Sequence, residues 1–228
     1  MAKEAKVVLV TGVGKGIGHA LARALLKKGH RVVGVSRNLD AWADQPEGFL
    51  GLSLDLLEKD AISLLETHVK SLLLDAVVHN AGVLVKASLQ DLRAEDLDQM
   101  MRLHVTVPAL VTKALLPKIR PGGHVVLIGS MSGFAGAKKY PGLSAYGASK
   151  AALMSFAESW AVELVDSNIQ VNGLALGACE TEMLRSAFPD SAKGMDADAL
   201  AAWIASFVLE GNVCFNGKVL PVALADPE

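Results

Sequence analysis

Runs of aliphatic and β-branched residues alternate with longer stretches of helical spacing along almost all of the 228-residue chain, and that alternation leaves few folds open. Residues 7–11, 31–36, 50–55, 75–79, 123–128, 169–174 and 218–222 read as strands. Residues 17–28, 57–70, 94–116, 144–166 and 198–209 read as helices between them. Several strands, Val7-Val8-Leu9-Val10 among them, are apolar at every position instead of every second one. Continuous apolar strands are expected where helices cover both faces of a parallel sheet. The prediction is a doubly wound α/β domain of about seven strands, mostly parallel, spanning 1–228 without a linker or internal repeat.

Composition agrees with a well-packed globular chain. Hydrophobic residues make up 51% and charged residues 20%, which excludes a disordered polymer. The net charge of -2 offers no field for nucleic acid or an anionic membrane. The helical stretch from Ala151 to Val165 is interrupted by Glu158 and Glu163 and is too short to span a bilayer. The opening residues Met1 to Lys6 hold no apolar signal segment, and Cys179 and Cys214 are widely separated, so a reduced, cytoplasmic setting is expected.

In an open α/β sheet, ligands gather beyond the carboxyl ends of the strands. After the first strand comes Thr11-Gly12-Val13-Gly14-Lys15-Gly16-Ile17-Gly18, which opens a helix. It reads T-G-x-x-x-G-x-G, not G-x-G-x-x-G. Glycines let the backbone turn tightly and approach a pyrophosphate, which the free N–H groups of the helix N-terminus then attract. A flexible connection is the plainer alternative; its place directly after an apolar strand favours dinucleotide binding. The second strand ends in Ser36-Arg37, where an acidic residue would select a free ribose 2′-hydroxyl and an Arg accommodates a 2′-phosphate. Arg37, with Lys15 as a second cation, predicts NADP(H) over NAD(H), unless both are solvated loop charges.

The fifth strand runs into Ile128-Gly129-Ser130-Met131-Ser132, and a later helix opens with Tyr146-Gly147-Ala148-Ser149-Lys150. Tyr146 and Lys150 are four apart and share a helix face. Carbonyl reduction needs an acid at the developing alkoxide; a nearby ammonium favours the phenolate and brings a phenol towards the working range. Ser130, at a strand end, can hydrogen-bond the reacting oxygen, and it is preferred to Ser132 because it directly follows Gly129.

With these motifs in this order, the chain resembles the short-chain dehydrogenase/reductase family from Lys6 to about Met183. The resemblance rests on Thr11-Gly12-x-x-x-Gly16-x-Gly18, Asp55, Asn80-Ala81-Gly82, Ser130, Tyr146-x-x-x-Lys150 and Val171-Asn172-x-x-x-x-Gly177-x-x-x-Thr181. It implies that Ser130 and Tyr146 act on the carbonyl or alcohol, and that Lys150 holds the nicotinamide ribose and tunes Tyr146. Thr181 would contact the carboxamide and Asp55 would lie near the adenine. Leu56, Asn80, Ala81, Gly82 and Gly177 would complete the cofactor cleft. Relatives commonly pair through their long helices, so a homodimer or homotetramer is expected. The apolar positions Ala151, Ala152, Leu153, Phe156 and Trp160 fit either such an interface or the core. The chain ends at Glu228, earlier than most relatives, which leaves the tetramer contacts open.

Departures from the family are specific. Met101-Arg102-Leu103-His104-Val105-Thr106 puts His104 where relatives carry an Asn that helps hold a water in a proton relay. His titrates near neutrality and can substitute in a relay; equally, it can fill the space and bond the backbone. His79 and Leu176 replace an Asn and a Pro and read as structural. Lys138, Lys139 and Tyr140, in a lengthened loop, suit an anionic substrate or plain solvation. Cys179 reads as packing.

The leading expectation is an NADP(H)-dependent reductase or dehydrogenase for a small carbonyl or alcohol. A dinucleotide-binding sensor that has lost efficient catalysis is the alternative. A sugar-nucleotide epimerase is disfavoured by the short chain after Thr181. Substrate choice is expected in residues 177–195, with 182–195 as its variable part, and no metal is implied.

Overall fold

The structure is a computed structural model and describes residues 4–189 and 193–224. Positions 1–3 of the opening segment, 190–192 of the expected substrate segment and the last residues, 225–228, lie outside it.

Seven strands form one sheet: β1 (Val7–Thr11), β2 (Arg31–Ser36), β3 (Phe49–Ser53), β4 (Leu74–His79), β5 (Ile119–Ser130), β6 (Gln170–Leu176) and β7 (Lys218–Val222). Their order is β3-β2-β1-β4-β5-β6-β7, and every neighbouring pair is parallel. Except between β2 and β3, where the chain makes only a short 3-10 turn at Asp40–Trp42, the connections are α-helical: α1 (Gly16–Lys27), α2 (Ala61–Val69), α3 (Ala94–Met101), α4 (Val107–Leu115), α5 (Ser144–Glu163), α6 (Glu182–Ala187) and α7 (Ala197–Glu210).

Strand pleating divides the apolar runs between two cores. Val8, Val10, Val78, Val126 and Leu174 join Leu21 and Leu25 of α1 and Ile204 and Val208 of α7 on one face. Val7, Leu9, Val77, Val125 and Val171 join Leu65 of α2, Val111 and Leu115 of α4 and Leu153 and Ala157 of α5 on the other. Unbroken apolar strands therefore feed both layers, as the sequence pattern requires. Leu153 is buried, Phe156 and Trp160 pack partly buried against this second core, and Ala151 is exposed, so these positions are divided between core and surface.

Three local features differ from the sequence reading. The stretch expected as one helix over 94–116 contains a wide turn of π-helix at Arg102–Thr106, where the Val107 N–H bonds the carbonyl of Arg102, five residues back. Pro108 supplies a physical reason: it has no N–H for the carbonyl of His104 four residues earlier, so the regular ladder cannot continue. The segment over 177–195, for which no helix is expected from the sequence, contains α6, whose first turn is capped by Thr181 accepting from the Leu184 N–H at 3.3 Å. The second helix starts later than expected, at Ala61, because Asp55 folds its carboxylate onto the Leu57 N–H at 3.0 Å and holds the chain in a turn.

The chain runs outward from β1 to β3 and then restarts at β4 on the other side of β1, so the carboxyl ends of β1 and β4 diverge and open a crevice. Asn80 stitches its floor. Its side-chain amide donates to the carbonyls of Thr11 at 3.0 Å and Gly12 at 3.2 Å, while the N–H groups of Asn80 and Ala81 both reach the Thr11 hydroxyl at 3.0 Å.

Candidate active site

The glycine turn lies along this crevice. Gly12 has φ +77, and a Cβ there would meet the Ala81 Cα at 2.8 Å, so both conformation and space demand glycine. Further along, the Gly16 Cβ position is 3.6 Å from the Thr181 side chain, which brings the turn and the start of α6 to opposite walls of one slot. Lys15 crosses that slot to pair with Glu182 at 2.6 Å, although both are largely exposed. Arg37 stands 4.0 Å from Asp55 at the far end, with three-quarters of its side chain in solvent. Leu56 is buried below it, Ser36 lies against Gly14, and the Gly177 N–H is fixed to the Val222 carbonyl at 2.9 Å. Ile17 and Gly18 belong to the first turn of α1, Ile17 packing on the core. A close-approach turn, a helix N-terminus and a cation at the second strand's end are together suited to a dinucleotide phosphate chain.

At the other end of the crevice, Ser130 closes β5, with its hydroxyl near enough to the Tyr146 phenol to ease its ionisation. The Ser132 N–H donates to the Ser130 hydroxyl oxygen at 3.2 Å, whereas Ser132 itself lines a pocket of about 580 Å³ with Phe134, Tyr140 and Ala148. Lys150 is buried, donates to the Ile128 carbonyl at 2.8 Å and places its ammonium 6.0 Å from the Tyr146 ring centre. Burial pushes the Tyr146 phenol up to about 12, only partly offset by the Ser130 hydroxyl, and brings the Lys150 ammonium down to about 8. The ammonium was expected to favour the phenolate, but in the free protein desolvation prevails and Tyr146 stays a phenol.

His104 is also buried here. Its Nε2 accepts the Val83 N–H at 3.0 Å and its Nδ1 meets the Ser149 hydroxyl at 2.9 Å, so both ring nitrogens are engaged. His79 is buried with Nε2 on the Thr112 hydroxyl at 2.8 Å. The Cys179 thiol is pushed up to about 11, mainly by burial, which leaves it unreactive. Lys139 is spent on the carbonyls of Ser132 and Phe134, and Lys138 stands over the Tyr140 ring. Among the described residues no cluster could hold a metal ion, and no helix is long and apolar enough to cross a membrane.

Thr11, Val83 and Ser149 also build the site, without being candidates from the sequence. Thr11 lies within the glycine motif and Ser149 between Tyr146 and Lys150; Val83 acts through its backbone N–H, which leaves no residue-type signal.

A family model described as short chain dehydrogenase matches residues 6–192. The chain belongs to this family. A short-chain dehydrogenase from mouse, "Dehydrogenase/reductase SDR family member 4", is 36% identical over 189 residues, covering 77% of this chain and 66% of its own, just under two thirds. The "NADPH-dependent pterin aldehyde reductase" of Arabidopsis thaliana is 32% identical over 228 residues, covering 96% and 93%. Among solved structures, a short chain dehydrogenase from Burkholderia cenocepacia J2315 in complex with NADP superposes with a TM-score of 0.84 at 26% identity, covering 96% of both chains. As a short-chain dehydrogenase, the chain is an oxidoreductase on a nucleotide-binding Rossmann fold.

Proposed function

We propose that this short-chain dehydrogenase interconverts a carbonyl and an alcohol on a small molecule, with NADP(H) as its cofactor. The observation that carries the reading is the meeting of Ser130, Tyr146 and Lys150 at the carboxyl end of β5, beside the glycine turn. The nicotinamide, when bound, supplies or accepts the hydride. The protein supplies the proton: Tyr146 is held as a phenol, the form that can donate to a developing alkoxide. Ser130, beside that phenol, orients the reacting oxygen. Lys150 uses one of its three N–H bonds on Ile128 and keeps two for the cofactor's ribose and the field at Tyr146. Gly12, Gly14, Gly16 and Gly18 would admit the pyrophosphate, with Thr181 at the carboxamide, Asp55 and Leu56 along the adenosine side, and Asn80, Ala81 and Gly82 leading from the glycine turn towards Lys150.

Preference for NADP(H) is supported by Arg37 at the second strand's end and by the NADPH dependence named for the Arabidopsis relative. Substrate choice falls to residues 177–195, and homo-oligomerisation is read from the family, to be tested by light scattering. Unpaired Cys179 and Cys214 suit a reducing, cytoplasmic setting.

Tyr146→Phe tests the mechanism. It should lower kcat by about 100-fold to 10,000-fold with NADPH affinity retained. Unchanged turnover would remove Tyr146 as the acid. Tight NADPH binding without turnover of any ketone, aldehyde, quinone or 3-oxoacyl thioester would favour the sensor reading, for which His104 in place of the family's Asn is the supporting observation.

A further inference from the structure

The polar chain behind the catalytic helix has only one consistent set of hydrogens. The Val83 N–H can only donate, so the His104 Nε2 that meets it must be bare. The single proton of a neutral ring then sits on Nδ1, which donates to the Ser149 oxygen. Ser149 passes its own hydrogen to the Tyr146 peptide carbonyl at 2.7 Å. Every donor in this line has an acceptor, and neither ring nitrogen is left to receive a proton from the cleft.

We propose that the imidazole of His104 is a permanently neutral positioning group, which ties the Val83 segment to the first turn of α5 and itself takes no part in proton relay. The reading rests on the proposed reductase function for its consequence, but not for its geometry. Tyr146 and Lys150 bracket the turn that Ser149 braces, so the brace fixes the acid and its cation relative to each other. The imidazole also meets the Tyr146 ring edge-on, with centroids 5.7 Å apart.

Charge argues the same way. The ionisable groups facing the ring are the Lys150 ammonium and the Tyr146 phenol, both from α5; the Gly82-Val83 segment brings only backbone, and Arg102 turns away to the Leu57 carbonyl. Only Gly82 separates imidazole from ammonium: a Cβ there would lie 3.0 Å from His104 Nε2 and 3.6 Å from Lys150 Nζ. A second positive charge in that space would be desolvated, repelled by Lys150 and left without the Val83 N–H. Burial first, and Lys150 second, accordingly push His104 down to about 2.

The test begins with imidazole ¹⁵N resonances of the full chain, without cofactor. The expected result is a protonated Nδ1 and bare Nε2 for His104, unchanged from pH 5 to pH 9. A proton on Nε2, or a titration inside that range, overturns the proposal, and neither outcome depends on turnover or on the fate of Tyr146→Phe. The second arm is kinetic. His104→Ala and Ser149→Ala should lower kcat, on the order of 100-fold and tenfold respectively, while KM for NADPH holds. The ionisation that limits alcohol oxidation should move upward as Lys150 drifts from Tyr146. Ser149→Ala leaves little cavity and covers the case in which His104→Ala does not fold. Folded variants with parental kcat and an unshifted pH profile would overturn the positioning role.

Discussion

At the scale of single residues, the site is governed by desolvation more than by the charges that the sequence advertises. Tyr146 and Lys150 do share a helix face, yet burial moves both towards their neutral forms. Arg37 is the opposite case, an exposed cation whose value depends on a partner with several acceptors. Replacing Arg37 with Ala is expected to raise KM for NADPH roughly tenfold, since the contact is solvent-screened, and to leave KM for NADH nearly unchanged. Parallel steady-state titrations check this; an equal effect on both cofactors would show Arg37 to be a general cation. Its position after β2 made it legible in the sequence. The identity of the group beside it did not emerge until Asp55 was seen 4.0 Å away.

Between elements, the crevice depends on one short suture. Asn80 joins β4 to β1 by donating to two carbonyls of the glycine turn, while Thr11 gathers two N–H groups from the other side. Asn80→Ala strands the Thr11 and Gly12 carbonyls and should cost about 1–3 kcal/mol in urea unfolding, with a parallel loss of NADPH affinity. An unaltered unfolding midpoint would mean that solvent replaces the amide. Strands and the glycine turn were readable because their patterns are local. The π turn at Arg102–Thr106 was not, although Pro108 was in plain view: a proline breaks one bond of the ladder, and only packing on both sides decides whether the helix ends or widens. The cap that starts α6 was equally hidden, because Thr181 was read for its cofactor role alone.

Across the whole molecule, three neutral histidines are locked inside. Burial lowers His79 to about 3, His104 to about 2 and, offset in part by its bond to the Val208 carbonyl, His124 to about 4. Unfolded, each would titrate near 6.5, so between pH 6.5 and 4 the unfolded chain binds more protons than the folded one. Their contribution is complete above pH 6.5 and is lost as pH falls. Near pH 5, unfolding should take up about three protons and stability should drop by about 4 kcal/mol per pH unit from these groups. Urea midpoints measured across pH 4.5–6 test this, with His79→Asn expected to remove one proton from the uptake. A flat profile would show that the folded protein charges its histidines too.

Sequence alone determined the doubly wound sheet, the glycine turn after β1 and the pairing of Tyr146 with Lys150, because hydrophobic period, φ requirements and helical spacing are set within a few residues. Tertiary structure decided the rest. It chose Ser130 over Ser132 beside the phenol, folded Lys139 onto backbone carbonyls, and set the protonation states. It also closed both nitrogens of His104 with groups 21 and 45 residues away in the chain. A side chain's charge depends on how much water the assembled fold removes around it, and that quantity belongs to no segment of the sequence.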